Sequence, residues 1–116
     1  MVKACLKGDE SSAEHVSIPN LSMASAYYAC VFDAETVVEK DADARVIRIG
    51  GRLYQLDQNR EIGYEQHAAA VSDVDVAIAR IATKGGRILA AAETTEGRRH
   101  GRVMDPFGHE WLVTDD

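Results

Sequence analysis

The chain has 116 residues, enough for one domain and too few for two, and its hydrophobic content of 46% supports a real core rather than disorder. Nineteen acidic against 13 basic residues leave a formal net charge of −6, which repels a phosphate backbone and an anionic membrane surface alike. Nucleic acid and membrane are therefore not the expected partners.

Two cysteines, Cys5 and Cys30, show neither metal-type spacing nor a disulfide framework, and Cys30 reads as a small core residue. No segment is apolar enough for a signal peptide or a membrane span, so a reducing, cytoplasmic setting is the expectation. Met1 to Glu14 is polar and unpatterned and reads as a flexible leader, with one domain over residues 15–114.

His15 to Ile18 is a short strand stopped by Pro19, after which Asn20 or Ser22 caps a helix running to Phe32. In that helix Met23, Ala26, Tyr27 and Cys30 form one stripe. Thr36 to Val38 is a strand, Asp41-Ala42-Asp43 a turn, and Arg45 to Ile49 alternates polar and apolar as a half-buried strand does. Gly50-Gly51 signals a hairpin, Leu53 to Asp57 returns, and Gln58 to Gly63 is a polar connector.

The same order then recurs. Gln66 to Val71 is a strand, and Ser72 caps a helix with Val74, Ile78 and Ile81 on one face, ended by Gly85-Gly86. Arg87 to Ala92, Gly101 to Met104 and His109 to Thr114 are strands, the last preceded by the turn Asp105-Pro106-Phe107-Gly108. Strand, helix and three strands, twice over, make two βαβββ modules at about 15–58 and 64–114. Aligned on Gly51 and Gly108, Tyr54 matches Trp111 and Gln55 matches Leu112, while His15 and His67 open the two leading strands.

The stretch Gly97-Arg98-Arg99-His100-Gly101-Arg102-Val103-Met104-Asp105-Pro106-Phe107-Gly108-His109-Glu110-Trp111 resembles the closing signature of the PhnB-like branch of the vicinal-oxygen-chelate superfamily, the glyoxalase and bleomycin-resistance proteins. Tyr27 to Glu35 resembles its first-helix pattern, with Asp33 where that pattern has Gly, and Val71 to Gly86 is similar to its second helix. The resemblance spans roughly residues 15–114. It implies an α+β fold in which two βαβββ modules form a curved, barrel-like mixed sheet around a cavity, and it implies a homodimer.

The resemblance also implies a divalent-metal position fed by four equivalent strands, at His15, Gln55, His67 and Leu112. Imidazole nitrogen and amide oxygen suit Zn, Ni, Fe or Mn, whereas Leu112 offers no donor. If a metal binds, His15, Gln55 and His67 are its expected ligands, with Glu110 as the base by strand parity. Tyr28, Gln55, Arg99 and Leu112 are the candidate ligand-binding residues, Arg99 belonging to a local basic cluster with Arg98 and Arg102. Tyr54 and Trp111 have the opposite parity and pack outside the cavity.

Leu112 tips the functional expectation towards a protein that sequesters or carries a small organic molecule in a dimeric cleft. A metal-dependent lyase, isomerase or dioxygenase is the alternative, and a non-catalytic interaction domain a further one, because one fold hosts many functions.

Overall fold

The structure, a computed structural model, describes residues 13–59 and 63–115. Most of the expected leader, with Cys5, lies outside the described residues, but its last two positions belong to the fold: Ala13 is buried and Glu14 opens the first strand. The elements are β1 (Glu14–Ile18), α1 (Leu21–Phe32), β2 (Glu35–Asp41), β3 (Ala44–Ile49), β4 (Arg52–Gln58), β5 (Gln66–Val71), α2 (Val74–Thr83), β6 (Arg87–Thr95), β7 (Arg98–Met104) and β8 (Glu110–Asp115). This is the expected βαβββ order repeated, in two four-stranded sheets ordered β1-β4-β3-β2 and β5-β8-β7-β6 rather than one closed barrel. In each sheet the leading strand runs parallel to the last strand of its module, and the hairpin strands are antiparallel.

Local chemistry sets the helix ends. Asn20 caps α1 by accepting from the Met23 N–H at 2.9 Å, and the Gln58 side chain accepts from the Leu21 N–H at 2.8 Å. At the exit, Asp33 adopts φ 58°, the left-handed conformation for which glycine is preferred and which aspartate tolerates better than most residues. The cap of α2 is Asp73 rather than the expected Ser72, its carboxylate accepting from the Val76 N–H at 3.1 Å.

The stripe that α1 buries also differs from expectation. Leu21, Ala24, Ser25, Tyr28, Val31 and Phe32 face the core, while Met23 is 60% exposed and Cys30 lies at the surface. Both stripes satisfy helical spacing; the one carrying Leu, Tyr, Val and Phe removes more apolar area from water and prevails.

A single core joins the modules. Val16, Ile18, Tyr54 and Leu56 from the first pack in one cluster with Val71, Ile81, Trp111 and Val113 from the second. Trp111 lies at the centre, its ring 5.4 Å from Tyr28, 5.1 Å from Phe32 and 5.6 Å from Tyr54. Asp105 secures this junction: it accepts from the Tyr28 hydroxyl at 2.6 Å and from Trp111 Nε1–H at 2.9 Å.

Candidate functional site

Strand pleat decides which side chains share a face, because residues opposite one another across a ladder project to the same side. The β1–β4 register sets His15 opposite Gln55, and the β5–β8 register sets His67 opposite Trp111 and Ala68 opposite Leu112. His15 and Gln55 therefore lie on the face turned away from the helices, and Ala68 and Leu112 take the corresponding place in the second module. His67 lies on the other face, its ring 5.0 Å from Trp111. The expected equivalence of His15 and His67 is thus corrected: the counterpart of His67 is Glu14, which sits opposite Tyr54 as His67 sits opposite Trp111. A one-residue offset within a strand moves a side chain to the opposite face.

His15 is exposed, with Nδ1 2.8 Å from Asp57 Oδ2. Gln55 donates to the other carboxylate oxygen of Asp57 at 2.8 Å and accepts from Lys40 Nζ at 3.1 Å. Asp57 thus draws His15 and Gln55 together, with no sign of His67 in their company.

His67 instead anchors a partly buried polar chain across the module junction. Its Nδ1 pairs with Glu14, and its Nε2 lies 2.9 Å from Glu65 Oε1. Carboxylates only accept, so each ring nitrogen is placed to donate. Glu65 Oε1 also accepts from the Ser17 N–H at 3.2 Å, and the fully buried His109 donates from Nε2 to the Ser17 carbonyl. Partial burial pushes the Glu65 carboxyl up, but the hydrogen bonds from His67 and the Ser17 N–H outweigh it, and the net direction is below the ordinary carboxylate value.

The fit of a metal differs between the two places. Of the four positions on the faces away from the helices, His15 and Gln55 carry donor atoms, and Ala68 and Leu112 carry none, so that set does not complete a coordination shell. Glu65, His67 and His109 offer a carboxylate oxygen and two imidazole nitrogens, all within 4.8 Å of one another, a donor set that suits Zn. Loading that group would require breaking the pairing of His67 with Glu65 and freeing His109 from the Ser17 carbonyl.

A cleft of about 380 Å³ opens where the second sheet meets the first module. Ala68 and Leu112 line it with apolar surface, and Leu112 is 39% exposed there. Charged groups surround them: Arg102 and Glu110 from the second module, Glu14 and Arg52 from the first, with Gln66 and His67 beside them.

Glu110, the expected base, is buried and already engaged. The Tyr64 hydroxyl donates to it, and Arg102 donates to Oε2 with Nε at 2.6 Å. The Tyr64 hydrogen bond and the Arg102 guanidinium hold its carboxyl below the ordinary value, which makes it a weak proton acceptor near neutrality. Two of the expected ligand-binding residues lie elsewhere. Tyr28 is fully buried, its hydroxyl given to Asp105; burial and the nearby Asp105 carboxylate push that hydroxyl well above its ordinary value. Arg99 forms a two-pronged pair with Asp75 at 2.8 and 2.9 Å on the surface.

Sequence reasoning missed Glu14, Glu65, His109 and Arg52. The spacing Glu65-x-His67 is the signal for one pair, since a period of two places both on one side. Nothing local announces Glu14 or Arg52, which reach the site through packing of one module on the other.

No family model matches the sequence, and no curated protein matches it. Solved structures do. TioX from Micromonospora sp. ML1 superposes with a TM-score of 0.74 at 20% identity, covering 90% of this chain and 94% of that one. A glyoxalase/bleomycin resistance protein from Albidiferax ferrireducens T118 gives 0.71 at 13% identity, covering 90% and 97%. The genomically encoded fosfomycin resistance protein FosX from Listeria monocytogenes gives 0.70 at 15%, covering 90% and 91%. At these identities the likeness is one of architecture: the chain has the glyoxalase-like fold of paired βαβββ modules, shared with glyoxalase, bleomycin-resistance and fosfomycin-resistance proteins.

Proposed function

We propose that this chain belongs to the PhnB-like branch of the vicinal-oxygen-chelate superfamily and serves as a small-molecule-binding protein, holding an organic ligand in the cleft of a cytoplasmic homodimer without turning it over. The observation that carries this reading is the pair Ala68 and Leu112, set opposite one another where the first module sets His15 opposite Gln55. Half of the donor set needed for a metal on that face is replaced by apolar side chains, and those side chains line the cleft. An apolar floor with a few placed polar groups is what recognition of an organic molecule requires. Glu110, tied to Arg102 and Tyr64, supports the same reading, because it is poorly set up as a base.

The test is a thermal-shift screen of organic ligands with and without a strong chelator. A binder gives ligand-dependent stabilisation that the chelator leaves unchanged. Stabilisation that disappears with chelation and returns with one equivalent of metal overturns the proposal. A second reading, a metal-dependent lyase, isomerase or dioxygenase, is favoured by the proximity of Glu65, His67 and His109. In that reading Glu65, His67 and His109 would hold the ion, which would supply Lewis acidity to a substrate oxygen, while Glu14 would orient His67 from its Nδ1 side and the Ser17 N–H would hold Glu65.

A further inference from the structure

We infer that the cleft selects a monoanionic small molecule with an apolar body, its acidic group bound by Arg52; this rests on the small-molecule-binding reading above and names the ligand class. The charges facing the cleft differ in how they are matched. Glu14 is paired with His67, and Glu110 is held by Arg102 and the Tyr64 hydroxyl. Arg52 has no carboxylate within ion-pair distance among the described residues. Its guanidinium lies beside the Tyr54 hydroxyl, which itself donates to the Ala68 carbonyl, so this cation stands next to the apolar floor. A carboxylate, sulfonate or phosphonate monoester placed there gains a charge-assisted hydrogen bond, and the remainder of the molecule lies over Ala68 and Leu112.

The two carboxylates of the lining do not oppose this. Each already has a hydrogen-bonding partner, Glu14 in His67 and Glu110 in Arg102 and the Tyr64 hydroxyl, whereas among the described residues Arg52 is in no ion pair. A cationic ligand meets a guanidinium that no carboxylate among the described residues pairs with, and is disfavoured. A volume of about 380 Å³ lies at the small end of ligand pockets and suits a single-ring or short-chain acid rather than a large antibiotic.

The experiment compares 4-phenylbutyrate with 4-phenylbutanol by calorimetric titration against the full chain, at low and at 0.5 M salt. The acid is expected to bind at least about tenfold more tightly than the alcohol at low salt, the advantage shrinking as salt screens it. Arg52→Gln should bring the acid down to the alcohol's affinity and leave the alcohol unchanged. Leu112→Glu should abolish binding of both, and circular dichroism confirms that each variant is folded. Equal binding of acid and alcohol by the unaltered chain overturns the role of Arg52 while the binding reading stands. Binding of neither overturns both.

Discussion

Glu14 and His67 are counterparts under the module repeat, and they meet: the first residue of β1 pairs with Nδ1 of His67 across the junction of the two sheets. One module contributes the acid and the other the imidazole, so the contact is a heterotypic clasp, one of several polar contacts that cross the junction. His67 is nearly enclosed, with 4% of its side chain exposed, whereas Glu14 is 37% exposed. His67→Ala removes the partner of Glu65 and leaves a polar void, and is expected to cost about 3 kcal/mol. Glu14→Gln acts on a partly exposed carboxylate and should cost under about 1 kcal/mol. Urea denaturation at neutral pH checks both; equal effects would show that the pairing with Glu14, rather than the enclosure of His67, governs the junction.

Asp105 is expected to be the most sensitive polar residue in the fold. It is 3% exposed, takes hydrogen bonds from Tyr28 and Trp111, and also accepts from the backbone N–H groups of Phe107 and His109 at 2.9 and 3.0 Å. Asp105→Ala removes the acceptor of four donors, three of them buried, and should cost about 3 kcal/mol or more. Tyr28→Phe removes one donor while Trp111 continues to serve the same oxygen, and should cost about 1–2 kcal/mol. Chemical denaturation of the two variants would reveal the order.

Stability should fall on acidification through Glu65. Its folded-state value lies below the ordinary 4.5, so the folded chain binds the carboxylate form preferentially. The resulting stabilisation is complete above the unfolded-state value and is lost as pH falls through the lower folded-state value. Glu65→Gln should flatten the acid limb of a plot of melting temperature against pH, most visibly below about pH 4.5. An unchanged acid limb would mean that other carboxylates govern it.

Two glycines make a paired test of packing. A Cβ on Gly86 would lie 2.7 Å from the Met104 carbonyl oxygen and 2.3 Å from Ile81 Cγ2, whereas one on Gly51 meets nothing within 4 Å. Gly86→Ala should therefore cost about 2 kcal/mol through overpacking against backbone. Gly51→Ala should stay within about 0.5 kcal/mol of the parent. Melting temperatures of the two variants decide it.

Much of this protein was legible without coordinates. The strand at Arg45 to Ile49, the Gly50-Gly51 turn, the glycine end of α2 and the repeat of element order depend on local steric and hydrogen-bonding preferences, which neighbouring residues in the chain settle among themselves. The parity of Tyr54 and Trp111 against Gln55 and Leu112 followed from the same locality, and their burial agrees with it. Tertiary structure alone decided the rest. Whether α1 buries Met23 or Leu21, and whether β5 presents His67 or Ala68 to the cleft-side face, turns on an offset of one or two residues that strand and helix periodicities leave open. The company of Glu14, Glu65, His67 and His109, and the place of Arg52 beside the cleft, depend on how two separately patterned modules pack together. Free energy there is set by which buried charges find partners across the junction, a property of no single segment.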